Sequence, residues 1–266
     1  MVKRGFLFSL ISMGKGRNQM TTIFWAGDST VKQNSVCTYP QTGIGQVFDR
    51  YVKRYYVLIE NYAENGRSTK QFIDEERLAL IYDRITEGDL LFIQFGHNDE
   101  KVSDPARYTD PEGEFAANLE KFVNVARNKK ATPVFITPLT RRCFRDPSAE
   151  YTHDAWAESM RKTAKRLSVA LIDLTAMSEK LVDELGEEKS KAYYMNLPAG
   201  VYPHFPNGQK DNTHLRPEGA LTFGGLIARA LHELGGKYAA LLCDEYDQWV
   251  AETVKPTDWA DASKEE

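Results

Sequence analysis

Two short stretches, far apart in the chain, hold the residue types of a nucleophile and its base: Gly27-Asp28-Ser29-Thr30 and Asp211-Asn212-Thr213-His214. A serine hydroxyl becomes a nucleophile only beside a base, most often a histidine oriented by a third group. The five histidines are His97, His153, His204, His214 and His232. His214 stands out because Asp211 lies three residues before it and Pro217 opens a helix just after. On a turn, that carboxylate reaches the imidazole Nδ1, sets the tautomer and steadies the imidazolium, while Nε2 is left for the hydroxyl. Each stretch also has a plainer reading. Asp28, Ser29 or Thr30 would cap a following helix or loop, and Asp211 or Asn212 would be turn residues beside an imidazole satisfied by other means.

Attack on a carbonyl also needs donors aimed at the oxygen that gains charge. Gly66, in Asn65-Gly66-Arg67-Ser68, lets its N–H approach a ligand closely because no Cβ obstructs it. Asn98, in Gly96-His97-Asn98-Asp99, would add a side-chain amide. Singly both are weak signals, since Asn-Gly is a common turn dipeptide and Asn-Asp after a strand makes Asx-turns. Asp28, His97 and Asp99 read as loop-orienting hydrogen-bond partners rather than reacting groups.

For these stretches to meet, the elements between them must bring loop ends to one place. Five apolar runs of strand length, 22–26, 56–60, 90–95, 133–137 and 169–174, are continuously apolar rather than alternating, as suits parallel strands buried on both faces. Segments of helical period lie between and after them, at 45–52, 115–126, 176–185 and Pro217–Leu234. Strand alternating with helix predicts right-handed crossovers and an α/β fold: a doubly wound parallel sheet of about five strands covered by helices on both faces, a three-layer α/β/α sandwich. Loops leaving the carboxyl ends of such a sheet converge on one edge, where ligands bind. Ser29 follows the first run, Gly66 the second and Asn98 the third, while Asp211 lies in a Pro- and Gly-rich loop, 196–213, before the last helix. Residues 238–250 are expected to form an added helix, followed by a charged end.

The chain has 266 residues, 42% hydrophobic and 27% charged, with a net charge of -4. That composition suits one soluble globular domain, and it lacks the basic excess that nucleic acid requires. The domain is expected at 21–235, with 236–266 a helical extension of it and 1–20 a disordered leader or an over-long start. The apolar run 5–11 is short and no A-x-A-like cleavage site follows, so the expectation is a cytoplasmic protein, with secretion the alternative. No stretch approaches the roughly 18 apolar residues of a membrane span, and no membrane partner is expected. Cys37, Cys143 and Cys243 form no CxxC pair, which argues against a disulfide framework or a thiolate zinc site. A metal site from His97, Asp99, His204 and His214 would be more loosely spaced than ligand sets usually are. No full GxGxxG, Walker P-loop, HExxH or GxSxG is present. Neither metal nor cofactor is expected.

Taken together the four blocks are specific. Gly27-Asp28-Ser29, then Gly66, then Gly96-x-Asn98-Asp99, then Asp211-x-x-His214 resemble the SGNH, or GDSL-type, hydrolase family, over nearly the whole domain. The resemblance implies a flavodoxin-like sandwich and a covalent acyl-enzyme. It implies Ser29 as nucleophile, Asp211 and His214 completing a triad, and an oxyanion hole of the Ser29 and Gly66 N–H groups with the Asn98 side chain. The finer wording, Thr30-Val31, Glu64 to Thr69, Phe95 to Asp99, and Gly219-Ala220 after the last block, is similar to the rhamnogalacturonan acetylesterase branch. That similarity implies removal of acetyl groups from pectic rhamnogalacturonan or its oligosaccharides. Arg67, Arg141 and Arg142 then become candidates to meet galacturonate carboxylates, a solvated surface role being the alternative. Tyr202, His204, Phe205, Asn207 and Gln209 suit a sugar better than the apolar groove that a long acyl chain needs, local packing of the loop's rings being the alternative. The alternatives are another SGNH esterase, such as an acetylxylan esterase, thioesterase or lysophospholipase, and more remotely a non-catalytic flavodoxin-like module binding a phosphate at the first loop.

Overall fold

In the computed structural model, which describes residues 20–145, 148–149 and 153–246, the five apolar runs pair as one sheet. They form β1 (Thr21–Gly27), β2 (Val57–Asn61), β3 (Leu90–Gln94) and β4 (Thr132–Ile136). A two-residue antiparallel pair follows, β5 (Phe144–Arg145) with β6 (Ser148–Ala149), and then β7 (Ala170–Ile172) completes the sheet. The order is β2-β1-β3-β4-β7, and every pairing within it is parallel. In this register Trp25 stands opposite Asn61 on one side and Phe92 on the other.

Side chains alternate between two cores, as the period of a strand requires. Ile23, Trp25, Leu90, Phe92, Val134 and Ile136 enter one core. Against it pack α1 (Ile44–Val47), α6 (Leu174–Ser190) and α7 (Pro217–Leu234) through residues such as Ile44, Leu174, Val182 and Phe223. Phe24, Ala26, Leu91, Ile93 and Phe135 enter the other. This one is covered by α2 (Thr69–Asp74), α3 (Arg77–Arg84), α4 (Ala116–Asn128) and α5 (Asp154–Leu167), through Phe72, Ile81, Phe122 and Met160. Each fully buried Phe or Ile contributes about 1.5–3 kcal/mol relative to exposure. The sheet is thereby sealed on both faces, and only its edges are left to bind anything.

After β2 the chain crosses back over β1 to build β3 on its far side. The crossovers on either side of β1 therefore run in opposite senses, and the loops beyond its carboxyl end part to leave a crevice. Ser29 follows β1 and Asn98 follows β3, the two strands that flank this switch in the order.

Four local expectations are revised. The helix expected at 45–52 is α1 continued by a 3-10 turn, Phe48–Arg50. α6 extends further than 176–185 and is interrupted at Gly186, whose φ of 71° is left-handed. The segment 196–213, read as a loop, contains an antiparallel ribbon of β8 (Tyr194–Leu197) and β9 (Gln209–Leu215). The helix expected at 238–250 is short, α8 (Gly236–Ala239), and residues after 246 lie outside those described, as do residues 1–19 of the expected leader. Beyond α8, Leu241 and Leu242 join the first core, and Leu242 bridges Val52. No helix among the described residues is long and apolar enough to cross a membrane.

Candidate active site

Ser29 sits where β1 ends and the chain turns, with Val31 and Lys32 both donating to the Asp28 carbonyl at 3.1 Å. The cap at this turn is Asp28, not the serine: its Oδ1 accepts from the Thr30 N–H at 2.9 Å and the Thr30 hydroxyl at 2.8 Å. That leaves the Ser29 hydroxyl free for a different partner, and His214 Nε2 lies 2.9 Å from it.

His214 comes from β9, a strand outside the main sheet. Its sequence, QKDNTHL, has no apolar alternation, so other bonds must hold it. The Thr42 N–H donates to Leu215 O at 2.9 Å, and the Arg142 N–H to Asn212 O at 2.8 Å. Asn196 on β8 donates to Asp211 O at 3.1 Å. Arg142, nearly fully buried, donates from Nη1 to Asn212 Oδ1 and from Nε to Ser190 Oγ, each at 3.0 Å, and from Nη2 to Glu187 O. Glu187 and Ser190 follow directly on the break in α6 at Gly186.

On this strand Asp211 grips its neighbour at two levels. Oδ1 accepts from the Thr213 N–H at 2.8 Å and the His214 N–H at 3.0 Å, and Oδ2 lies 2.7 Å from His214 Nδ1. Burial raises the Asp211 pKa, but the hydrogen bond and charge interaction with His214 and the two backbone N–H bonds outweigh it, leaving the carboxyl at about 2. The carboxylate is the stable form, and a proton on Nδ1 satisfies it while Nε2 stays open to accept from Ser29. The arrangement expected of a turn is thus made by a strand.

Gly66 adopts a left-handed φ of 75°, and the segment ahead of it is tied to β1 by the Glu64 N–H donating to Gly27 O at 3.1 Å. Among the described residues, neither the Ser29 N–H nor the Gly66 N–H donates to any acceptor. Asn98, buried at the end of β3, donates one amide hydrogen to Arg67 O at 3.1 Å and retains a second. Two free backbone donors and a third amide donor beside a serine, a histidine and a carboxylate make a set able to attack an ester and hold the resulting oxyanion.

Behind Ser29 lies a buried polar cluster. Asp28 Oδ2 is 3.2 Å from His97 Nδ1, and His97 packs edge-on against His153 with ring centroids 4.4 Å apart. His153 Nδ1 is 2.6 Å from Glu100 Oε2, and Glu100 pairs in turn with Arg141. Arg141 also donates to His97 O and to Thr213 Oγ1, each at 3.2 Å, closing the circuit next to His214. Burial opposes ionisation of Asp28 and Glu100. The bonds and charges around each prevail, with His97 and Thr30 lowering Asp28 and His153 and Arg141 lowering Glu100. Burial, then the charge of His97, bring His153 down to about 4. Asp99, fully buried, is pushed up to about 7 by burial despite accepting from Thr69 and Thr109 hydroxyls and the Thr69 N–H. Asp28, His97 and Asp99 are therefore loop-tying groups, as read from the sequence. His153 and Glu100 had no sequence signal, because the contact depends on α5 returning to the end of β3.

The three arginines proposed to meet a substrate are already engaged: Arg67 by Glu75 and Asn65 O, Arg141 by Glu100, and Arg142 by burial under β9. Among the described residues no group of three or more His, Cys, Asp or Glu could hold a metal ion. The loop between β8 and β9 brings Tyr202 within 6.1 Å, centroid to centroid, of the Tyr39 ring, an aromatic pair that spacing could not reveal.

The model of the GDSL-like Lipase/Acylhydrolase family matches residues 26–220, which include all five residues singled out. The chain is 40% identical over 214 residues to "Rhamnogalacturonan acetylesterase RhgT" of Bacillus subtilis, covering 80% of this chain and 90% of that protein. It is 36% identical over 215 residues to "Probable rhamnogalacturonan acetylesterase YesY" of the same organism, covering 80% and 93%. Among solved structures, a Bacillus subtilis protein superposes with a TM-score of 0.70 at 24% identity, over 82% of this chain. Only 57% of that longer chain is spanned, and the likeness there is one of fold.

Proposed function

This chain belongs to the GDSL-like Lipase/Acylhydrolase family, and from that premise we propose that it is a serine carbohydrate esterase that removes acetyl groups from rhamnogalacturonan or its oligosaccharides. The observation that carries the reading is the contact of Ser29 Oγ with His214 Nε2 beside two unengaged N–H donors, at Ser29 and Gly66. The substrate is taken from the two relatives named as rhamnogalacturonan acetylesterases, the first of them 40% identical over most of both chains.

In the proposed reaction the Ser29 oxygen forms a bond to the acetyl carbonyl carbon as its proton passes to His214 Nε2. The carbonyl oxygen, now negative, is held by the Ser29 and Gly66 N–H groups and the Asn98 amide. His214 then gives the proton to the departing sugar oxygen, the ester C–O bond breaks, and acetyl-Ser29 remains. Water, deprotonated by the same imidazole, repeats the addition and releases acetate. Asp211, kept ionised, stabilises each imidazolium as it forms. Polar neighbours of these groups, Gln209 donating to Asp211 at 3.3 Å and Arg107 to Asn98 at 3.5 Å, favour a short acyl group on a sugar over a long acyl chain, which would need an apolar groove.

The test measures acetate release from acetylated rhamnogalacturonan, acetylated xylan and a long-chain ester, with wild type and Ser29→Ala. The expected outcome is preference for the first substrate and a loss of about 10⁶ in turnover for the variant. A preference for the long-chain ester, or retained activity in Ser29→Ala, overturns the reading.

A further inference from the structure

We infer that Arg107 is the residue that selects acidic sugar chains, by pairing with a uronate carboxylate beside the acetyl ester; this deepens the proposed function and rests on it. The residue lies on the loop after Asn98, where the Arg107 N–H donates to Asp104 O at 2.9 Å and the Thr109 N–H returns to Asp99 O at 3.0 Å. That loop brings the guanidinium to the proposed oxyanion hole. Its carbon and two terminal nitrogens lie 3.6–3.7 Å from the point where a Gly66 side chain would begin. Nη1 is 3.5 Å from Asn98 Oδ1. A cation is thus set directly against two of the three groups proposed to hold the reacting carbonyl.

What distinguishes Arg107 from the other cations around Ser29 is its spare capacity. Lys32 is paired with Glu64, Arg67 makes a two-pronged bond to Glu75, Arg141 is held by Glu100, His97 O and Thr213, and Arg142 is buried. Arg107 keeps 34% of its side chain exposed, and its carboxylate neighbour Asp104 is 39% exposed at 3.0 Å from Nε. The geometry at Nε does not satisfy a hydrogen bond, and Nη2 donates to no acceptor among the described residues. Exposed pairs of this kind hold weakly, so a substrate carboxylate can take the free edge of the guanidinium without displacing a strong partner. The planar fork matches a carboxylate in two-point geometry, which an ammonium does not. A carboxylate bound there lies beside the hole, within the span of the acetylated sugar itself. A galacturonan supplies such a group at regular intervals, whereas a neutral xylan backbone supplies none.

The test compares wild type, Arg107→Ala and Arg107→Lys on acetylated rhamnogalacturonan and on the same polymer with its uronates methyl-esterified, reading kcat and KM for acetate release. Wild type should lose about tenfold or more in kcat/KM when the carboxylates are masked, the size expected of a charge-assisted hydrogen bond. Arg107→Ala should lose as much on the native polymer, mainly through KM, and should no longer distinguish the two polymers. Arg107→Lys, which keeps the charge but not the fork, should fall between. The salt dependence of KM on the native polymer should be weaker in Arg107→Ala. If Arg107→Ala lowers kcat equally on both polymers, the guanidinium acts through Asn98 and the inference is overturned while the functional reading stands. If wild type releases no acetate from either polymer, the functional reading fails and takes the inference with it.

Discussion

Asp211 holds His214 by both of its oxygens, Oδ1 on the His214 N–H at 3.0 Å and Oδ2 on Nδ1 at 2.7 Å, so one carboxylate fixes both the backbone and the ring of the same residue. The imidazole has no freedom to turn Nδ1 toward Ser29. Replacing Asp211 by Asn keeps the shape but offers an N–H or a neutral oxygen where an anion is needed. Asp211→Asn should lower kcat by about 10⁴ with little change in KM, measured by acetate release at saturating substrate. Because the carboxyl titrates at about 2, wild type should show no loss traceable to Asp211 above pH 4.

Asn98 contributes to the proposed oxyanion hole through an amide held by Arg67 O. Asn98→Ala removes one donor and should cost about 10² to 10³ in kcat. The KM for a neutral ester should stay within a few-fold, since the bond strengthens only as charge develops. A KM effect without a kcat effect would mean that the amide binds substrate rather than transition state.

His153 lets the buried cluster be read out through pH. Its imidazole titrates at about 4 in the folded chain and near 6.5 when unfolded, so below that pH only the unfolded chain takes up the proton. Stability from keeping this ring neutral is complete above pH 6.5 or so and is lost as pH falls toward 4, up to about 3 kcal/mol. Asp99, raised to about 7, acts in the opposite sense, losing stability as pH rises from 4 to 7. The comparison must therefore be between variants. In His153→Asn, whose amide can still donate to Glu100, the fall in urea midpoint between pH 6.5 and pH 4.5 should be smaller than in wild type.

Gly219 has a steric rather than a conformational reason to be glycine. A Cβ there would lie 2.0 Å from Tyr193 O, a backbone atom directly before β8 that also accepts from the Arg216 N–H. Gly219→Ala must therefore shift α7 away from the ribbon that carries His214, the proposed base. It should cost about 1–3 kcal/mol, seen as a Tm lower by about 2–4 °C per kcal/mol, and kcat should fall with it.

The sequence made the sheet readable because its strands are buried on both faces. A run such as Leu90–Gln94 needs no partner to be recognised, and α7 announces itself with Pro217 at its start and Gly235 after its end. The ribbon was not readable. QKDNTHL has neither apolar alternation nor β-branched enrichment, and what makes it a strand is Arg142, Asn196 and Thr42 reaching in from elsewhere. For the same reason the candidate site residues could be picked out while their supports could not. Ser29, Gly66, Asn98, Asp211 and His214 occur in short motifs, but His153, Glu100 and Arg107 take their positions from how α5 and the loop after β3 fold back. Arg141 and Arg142 are adjacent and alike in sequence, and only packing shows that both belong to the scaffold.

The β8–β9 ribbon makes no pairing with the five-stranded sheet, so Ser29 and His214, the proposed nucleophile and base, ride on different pieces of structure. Releasing β9 breaks the bonds from Thr42, Asn196 and Arg142 and takes only Leu215 out of the first core, whereas unfolding β1 exposes residues of both cores. Catalytic competence is therefore expected to follow a local equilibrium set below the global one. In mild denaturant, amide exchange across 209–215 should quicken in step with inactivation while β1 and β3 remain protected, so an activity assay reports the latch of the active site before it reports the fold.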